Sequence, residues 1–233
     1  MLWLRAYPSR DTARMARKTA LNTDGAGATR QRLEDAQMLA DLLAPSLGRA
    51  RALGLALRSL KRAGNLRALL AEPTETLASW PGWDLAHARS LATILPIARR
   101  QLEQELLRGE ALTSPSDALD FLRARLRDRR REVFCGLFLD TRHRVLQWEE
   151  LFLGSIDGAC VYPRVVAEKA LLLGASAVIV AHNHPSGVCE PSLADQAITR
   201  RLKDALALLE IRLLDHFVIG EGIPVSLASR GMM

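Results

Sequence analysis

Long apolar runs are absent from this chain of 233 residues, and cysteine is scarce. No apolar stretch reaches the roughly 18 residues that a membrane-spanning helix needs, so we expect no membrane association. Residues 1–8 contain too short an apolar core for a secretory signal. The three cysteines, Cys135, Cys160 and Cys189, are irregularly spaced, which argues against a disulfide framework and favours a reducing compartment. We therefore expect a cytoplasmic protein.

Lysine is also rare, and arginine supplies nearly all of the positive charge. Lysine occurs only at positions 18, 61, 169 and 203, whereas the formal net charge is +6. Arginine suits phosphate contacts, and a basic chain is attracted to nucleic acid in a salt-dependent way. Genomic base composition is the favoured alternative cause of this bias. Weak nucleic-acid binding is therefore an expectation that charge alone does not establish.

The chain changes character along its length. Residues 1–30 are polar and arginine-rich, so we expect poor order there. Helical spacing of apolar residues predicts a helical domain over residues 31–110, whose first helix begins at Gln31 and ends before Pro45. Strand and helix patterns alternate over residues 111–233, which predicts an α/β domain with a mixed sheet.

Two histidines and an aspartate stand where a buried strand gives way to a helix. An apolar run leads into His182, and alternate residues of a strand face the same side, so His182 and His184 can direct both imidazoles to one point. Ser192 is placed to cap the next helix, with Asp195 in its first turn. Two imidazoles and a carboxylate suit a zinc ion that keeps one position for water.

Simpler interpretations of these residues remain open. A Ser-x-x-Asp pair can be a capping box and nothing more, and a His-x-His pair on a strand is more often incidental than metal-binding. Cys189 could approach the metal from its loop, although a small loop side chain is the favoured interpretation. His216, in a predicted strand, could hydrogen-bond to the site or be a core histidine bonded to backbone.

The spacing of these residues has a counterpart in a known motif. His182-x-His184, ten further residues and then Asp195, with Ser192 three residues before the aspartate, resembles the JAMM motif of JAB/MPN-type zinc metalloproteases.

A longer resemblance points to one family. The string His-Asn-His-Pro-Ser-Gly at 182–187 is similar to the RadC family of bacterial proteins, as are Val-Tyr-Pro-Arg at 161–164 and Asp-His-Phe-Val-Ile-Gly at 215–220. This resemblance covers residues 114–233. Val165 stands where the family usually has a glutamate, a departure that affects a local ion pair and not the metal site.

The resemblance implies a fold, a cofactor and an activity. The fold would be α/β and JAB/MPN-type (cytidine-deaminase-like), a mixed sheet flanked by helices, preceded by a small all-α helix-hairpin-helix-like domain. The cofactor would be Zn²⁺, held by His182, His184 and Asp195. The activity would be hydrolysis of a peptide or isopeptide bond in a protein or peptide substrate. The family carries a DNA-repair name, which reaches this chain only through the resemblance.

Two further residues acquire catalytic roles from the resemblance. RadC proteins show an Arg-Glu-x-Phe start to an early strand, and this chain has that pattern at 131–134, which makes Glu132 the expected general base. Ser192 matches the serine that donates toward the developing oxyanion. Without the resemblance, Glu132 could not be chosen over Glu149 or Glu150.

Two segments bear on nucleic-acid binding. Residues 80–90 resemble the helix-hairpin-helix region that precedes the JAB-type domain in RadC proteins, but Asp84 replaces the expected second glycine after Gly82 and would repel a phosphate. A plain packing turn is therefore favoured. The arginine-rich run 123–131 predicts a solvated face, with a nucleic-acid or acidic-partner patch as the alternative.

A competing hypothesis belongs to another functional class. The chain could be a nucleic-acid-binding or repair-complex accessory protein with a non-catalytic metal site. Its basic charge and helical domain favour that hypothesis. The degraded hairpin weighs against it, and the intact set of Glu132, His182, His184 and Asp195 favours an enzyme.

Overall fold

A computed structural model describes residues 24–107, 111–112, 115–154 and 161–233. The described residues form two compact units, which divide between Ala98 and Arg99. The boundary predicted after residue 110 stays a prediction, and residues 108–110 lie outside the described part of the chain. Residues 1–23, Ser114 and Cys160 also lie outside the described residues. The expectation of poor order over residues 1–30 is therefore not tested for residues 1–23.

The first unit is helical. Its elements are α1 Asp24–Leu47, α2 Arg49–Ala63, α3 Leu66–Leu70, α4 Thr74–Ala78, α5 Leu85–Ala92 and the start of α6, Ile94–Leu106. Helix α1 starts seven residues before Gln31 and passes through Pro45, so both predicted ends are wrong. Proline removes one amide donor, but the turn around it is completed when the Gly48 amide donates to Ala44 O at 2.9 Å.

Tryptophans from the predicted hairpin fill the core of the helical unit. Trp80 and Trp83 are buried, and Gly82 between them adopts a φ of 91°, which an L side chain rarely takes. The Trp83 indole N–H donates to the buried Ser59 hydroxyl at 2.8 Å. The hairpin is therefore a packing element of this unit, held by apolar burial and one internal hydrogen bond.

Asp84 caps the helix that follows this hairpin. Its carboxylate accepts the His87 amide at 2.8 Å at the start of α5. That hydrogen bond is the main reason why the pKa of Asp84 lies below its ordinary value. A helix N-terminus is where a phosphate would otherwise bind, and here the chain's own carboxylate occupies the position.

The second unit is built around a five-stranded sheet. Its elements are α7 Pro115–Leu126, β1 Val133–Leu139, β2 Val145–Leu153, α8 Pro163–Leu172, β3 Ala177–Asn183, α9 Leu193–Ala207, β4 Arg212–Ile219 and β5 Val225–Ser226. The strand order is β2-β1-β3-β4-β5. Strands β3 and β4 run parallel and the other neighbours antiparallel, so the predicted mixed sheet with flanking helices is confirmed.

The two central strands are buried on both faces, which explains their uninterrupted apolar sequences. Odd-numbered residues of β1 and β3, such as Leu137 and Ile179, pack with α7. Even-numbered residues, such as Phe138 and Val178, pack with α8 and α9. Side chains of a strand alternate between faces, so the parity of a residue number states which helices it meets.

The arginine-rich run 123–131, which begins in the last turn of α7, is partly folded into the unit. Arg125 pairs with Glu103 at 2.8 Å, and Arg129 pairs with Glu150. The half-buried guanidinium of Arg127 donates to the carbonyl of Glu221 at 3.0 Å. These three side chains have partners within the unit. That part of the run is therefore not the solvated face that the sequence predicted.

None of the helices within the described residues combines the length and apolar character that a bilayer crossing requires.

Candidate metal centre

The end of β3 presents two imidazoles to one point. His182 and His184 have the parity that faces α9, and their Nε2 atoms lie 2.9 Å apart. The His184 amide donates to Ile219 O at 2.9 Å, which ties the residue after β3 to the end of β4. Extended backbone at i and i+2 therefore brings both rings to the same side, as predicted.

The carboxylate of Asp195 completes the group. Its Oδ1 lies 3.2 Å from His182 Nε2, and its Oδ2 lies 3.4 Å from His184 Nε2. One donor atom from each residue falls within 4.8 Å of the other two. The side chain of His182 is 1% exposed, whereas those of Asp195 and His184 are 13% and 19% exposed, so the site opens to solvent on their side.

Ser192 orients the Asp195 carboxylate through a capping box. The Ser192 amide and hydroxyl donate to Asp195 Oδ2 at 2.7 and 2.6 Å, and the Asp195 amide donates back to Ser192 Oγ at 3.1 Å. The predicted cap at the start of α9 is confirmed. Because Oδ2 accepts both serine donors, Oδ1 is the oxygen that remains available to a cation.

A chain of hydrogen bonds joins His182 to the backbone of Asp195. His182 Nδ1 lies 2.8 Å from His216 Nε2, and His216 Nδ1 lies 2.6 Å from Thr199 Oγ1. The Thr199 hydroxyl donates to the Asp195 carbonyl at 2.5 Å. With one proton in each link, His182 donates from Nδ1, His216 donates from Nδ1, and the Nε2 lone pair of His182 faces the site.

Of the two roles that the sequence left open for His216, the structure favours the first: it is a buried histidine that hydrogen-bonds to the site. Burial lowers the pKa of His216 well below its ordinary value, and the neighbouring His182 acts in the same direction, which keeps the ring neutral. The sequence alone did not predict that Thr199 belongs to the site. Its only signal is its position four residues after Asp195 on one face of α9.

The tautomer of His184 is set by a backbone carbonyl. Its Nδ1 donates to Val188 O at 2.7 Å, so the neutral ring also presents the Nε2 lone pair to the site. When the ring is protonated, its Nε2–H donates to Asp195, and this hydrogen bond raises the pKa of His184. Burial alone would raise the pKa of Asp195, but hydrogen bonds that His182 and His184 donate to the carboxylate when their Nε2 atoms carry a proton outweigh it and hold that pKa well below its ordinary range.

These three residues fit a divalent zinc ion. Two imidazole lone pairs and a carboxylate oxygen converge, and such a concentration of electron pairs is stabilised by a cation. Nitrogen and oxygen donors in a set of three match a zinc site that keeps a position for water. Cys189 is outside this group, and its Sγ instead lies 2.8 Å from where a Cβ of Gly220 would be.

Close backbone packing holds the loop between the ligands. The Glu221 amide donates to Gly187 O at 2.8 Å. Gly187 adopts a φ of 83°, and a Cβ there would lie 2.7 Å from Glu221 Cγ. Glycine at 187 and 220 therefore allows the loop after His184 to lie directly against the exit of β4.

Glu132 lies at the same end of the sheet. Phe134 pairs with His182 across β1 and β3, and their rings stack at 6.2 Å, so residue 132 falls opposite residue 184 on the same face. The half-buried Glu132 carboxylate contributes to the raised pKa of His184. By contrast, Glu149 pairs with Lys169 and Glu150 with Arg129.

Comparison with known proteins agrees with this geometry. A family model described as RadC-like JAB domain matches residues 112–232. A UPF0758 protein of Halorhodospira halophila is 51% identical over 203 residues, which cover 87% of this chain and 91% of that relative. UPF0758 proteins of Thioalkalivibrio sulfidiphilus and Xanthomonas euvesicatoria are each 52% identical over 201 residues, covering 86% of this chain and 90% and 89% of those relatives.

The matched segment contains the whole α/β sheet, the three converging ligands and Glu132. The relatives extend the similarity into the helical unit, since their matches cover most of this chain. The resemblance read from the His-Asn-His-Pro-Ser-Gly string is confirmed: the chain belongs to the RadC-like JAB domain family.

Proposed function

We propose that this protein is a zinc-dependent hydrolase that cleaves a peptide or isopeptide bond in a protein or peptide substrate. The convergence of His182, His184 and Asp195, with both imidazole lone pairs directed to one point, is the observation that supports it. The free thiols of Cys135 and Cys189 favour a reducing compartment, so we place the activity in the cytoplasm.

The metal and the base have separate roles in hydrolysis. Zinc, when bound, supplies Lewis acidity and brings the pKa of a water molecule that it holds to about 7. Glu132 accepts the proton of the attacking water and returns it to the leaving amine. The partial exposure of His184 and Asp195 provides the side from which a substrate carbonyl can approach.

The Ser192 hydroxyl is already engaged in a hydrogen bond to Asp195. The proton of this hydroxyl goes to Asp195 Oδ2, which holds the carboxylate in place. Donation to an oxyanion, the role expected from the resemblance, requires that the hydroxyl rotate away from Asp195 during the reaction. The amide of Ser192 also donates to Oδ2, so the carboxylate stays anchored while the hydroxyl turns.

Removal of one ligand should remove the metal. We expect wild-type protein supplied with zinc to hold about one ion per chain, and His182→Ala and Asp195→Ala to hold almost none, because three protein ligands are the minimum for such a site. Elemental analysis of protein purified without a polyhistidine tag measures this. His87→Ala, which changes a histidine of the helical unit, should keep the full zinc content. Equal zinc in all four proteins would contradict the site.

Replacement of the base should separate metal binding from catalysis. We expect Glu132→Gln to keep its zinc and to lose about 10²- to 10⁴-fold in kcat, the usual contribution of a general base. Hydrolysis of mixed-sequence fluorogenic peptides, with zinc content measured in parallel, checks this. Glu149→Gln is the matched control, since Glu149 pairs with Lys169, and should stay close to wild type. Full activity of Glu132→Gln would exclude Glu132 as the base.

The hydrogen-bond chain behind His182 should affect zinc affinity. Thr199→Val keeps the shape of the side chain and removes the acceptor of the His216 Nδ1–H. We expect zinc affinity to fall by about 10-fold, the lower end of the effect of direct partners of metal-bound histidines, because Thr199 acts on His182 through His216. Competition with a chromophoric chelator measures it, and Thr199→Ser, which retains a hydroxyl, should recover most of the affinity. Equal affinity in Thr199→Val and wild type would contradict this role.

Nucleic-acid binding is a second candidate function, favoured by a basic stripe on α2. Arg58, Lys61 and Arg62 are exposed, and among the residues that the structure describes none supplies a carboxylate to them. The Arg62 guanidinium lies 4.5 Å from the ring centroid of Trp80. Three cations beside the hairpin could attract a phosphate backbone, although Asp84 occupies the adjacent helix terminus.

DNA retention should test this stripe. We expect duplex DNA to be held weakly at low salt, and Arg58→Ala/Lys61→Ala to lower the slope of affinity against salt by about one for each lost phosphate contact. Fluorescence anisotropy at several salt concentrations measures the slope. Arg30→Ala, which removes an arginine already paired with Glu34, is the control. An unchanged slope in the double variant would exclude the stripe as the contact surface.

A further inference from the structure

Asn183 lies between the two histidine ligands and faces the other side of β3. It is 1% exposed, and its odd number directs its side chain away from the metal centre and toward the segment between α7 and β1. A buried amide must find partners for its donors and acceptor. The Asn183 side chain bonds to backbone atoms of that segment and of Val133, the first residue of β1.

Asn183 bonds to the backbone on both sides of Glu132. Its Oδ1 accepts the Val133 amide at 2.8 Å, and its Nδ2 donates to Arg131 O at 3.1 Å and to Arg129 O at 3.2 Å. The carbonyl of residue 131 belongs to the peptide unit before Glu132, and the amide of residue 133 to the unit after it. One side chain therefore fixes both peptide units that flank Glu132.

Fixing these two peptide units fixes the direction in which the Glu132 side chain leaves the backbone. Peptide units are planar, so the orientation of the two planes around one Cα determines its φ and ψ and the direction of its Cα–Cβ bond. The Glu132 carbonyl is held as well, since it accepts the Gly154 amide at 2.7 Å. The end of β3, which places His182 and His184, thus also holds the backbone from which the Glu132 carboxylate approaches.

We propose that Asn183 is a positioning residue that holds the Glu132 carboxylate against the metal centre. The proposal rests on the proposed function, because it assigns Asn183 a role in catalysis only through the base. The candidate ligands and the base are then positioned by the same segment, the end of β3 and the loop that follows it. An error of about 1 Å in such a constellation costs about 10²-fold in rate.

Asn183→Ala should displace the base and leave the ligands in place. We expect unchanged zinc content and a fall of about 10²-fold in kcat, with little change in KM. In the Glu132→Gln background the same substitution should cause no further loss, because a residue that acts through the base has no effect once the base is absent. Mixed-sequence fluorogenic peptides serve as the probe.

A crystal structure of the zinc-loaded variant provides a measurement that does not depend on activity. We expect the Glu132 carboxylate to move by about 1 Å or more in Asn183→Ala, with His182 and His184 unmoved. Asn65→Ala is the matched control, because Asn65 Oδ1 accepts the Ala68 amide at 2.8 Å in the helical unit. It should leave Glu132, zinc content and kcat at their wild-type values.

Asn183→Asp guards against a failure of the alanine variant to fold. Aspartate keeps an acceptor for the Val133 amide, but its second oxygen faces the Arg129 and Arg131 carbonyls and repels them, so we expect Glu132 to move and kcat to fall as in Asn183→Ala. If Glu132 stays in place in the folded variant, or if kcat falls equally with and without the Glu132 carboxylate, the proposal is overturned. If wild-type protein cleaves none of the peptides, the hydrolase function fails, and the position of Glu132 alone decides the role of Asn183.

Discussion

The candidate metal centre depends on a set of hydrogen bonds in which each proton has one acceptor. The set runs from His182 through His216 and Thr199 to the carbonyl of Asp195, and so connects two candidate ligands through β4 and α9. Because the set is buried, each link is stronger than it would be in water, and a broken link leaves an unpaired polar atom. A change in the tautomer or the ring orientation of His182 would therefore also disturb the position of Asp195.

Strand parity is the second constraint on the site. A slip of one residue in β1 or β3 would exchange every side chain between the two faces, so the register of these strands decides which side chains reach the site. Even positions direct Glu132, His182 and His184 to the metal side. The odd position of Asn183 directs it to the backbone around Glu132. The end of one strand thus places the candidate ligands on one face and, on the other, the amide that we propose positions Glu132.

The helical unit follows a different logic. Trp80 and Trp83 are buried in its core, and Gly82 takes the backbone conformation of a tight hairpin. Asp84 then caps the following helix with its own carboxylate. The packing of a helix-hairpin-helix is present, whereas the helix terminus that could receive a phosphate is capped by Asp84. The exposed cations of α2 are therefore the proposed contact for a phosphate backbone.

Much of the site could be predicted from the sequence because its elements are local. The His182-x-His184 spacing on a strand and the Ser192–Asp195 capping box depend on residues at most three positions apart. Local rules also have limits, since Pro45 predicted a helix end that the bond from Gly48 to Ala44 overrides. The sequence by itself therefore determined the alternating elements, the family resemblance and the three candidate ligands.

Tertiary structure alone decided which distant groups serve those ligands. His216 lies 34 residues from His182, and Val133 lies 50 residues from Asn183, so only the pairing of β1, β3 and β4 brings them together. The roles of Thr199 and Asn183 follow from contacts that no spacing rule encodes. The physical reason is that a hydrogen bond is set by distance and direction in space, whereas periodicity in a sequence reports only which face of an element a residue occupies.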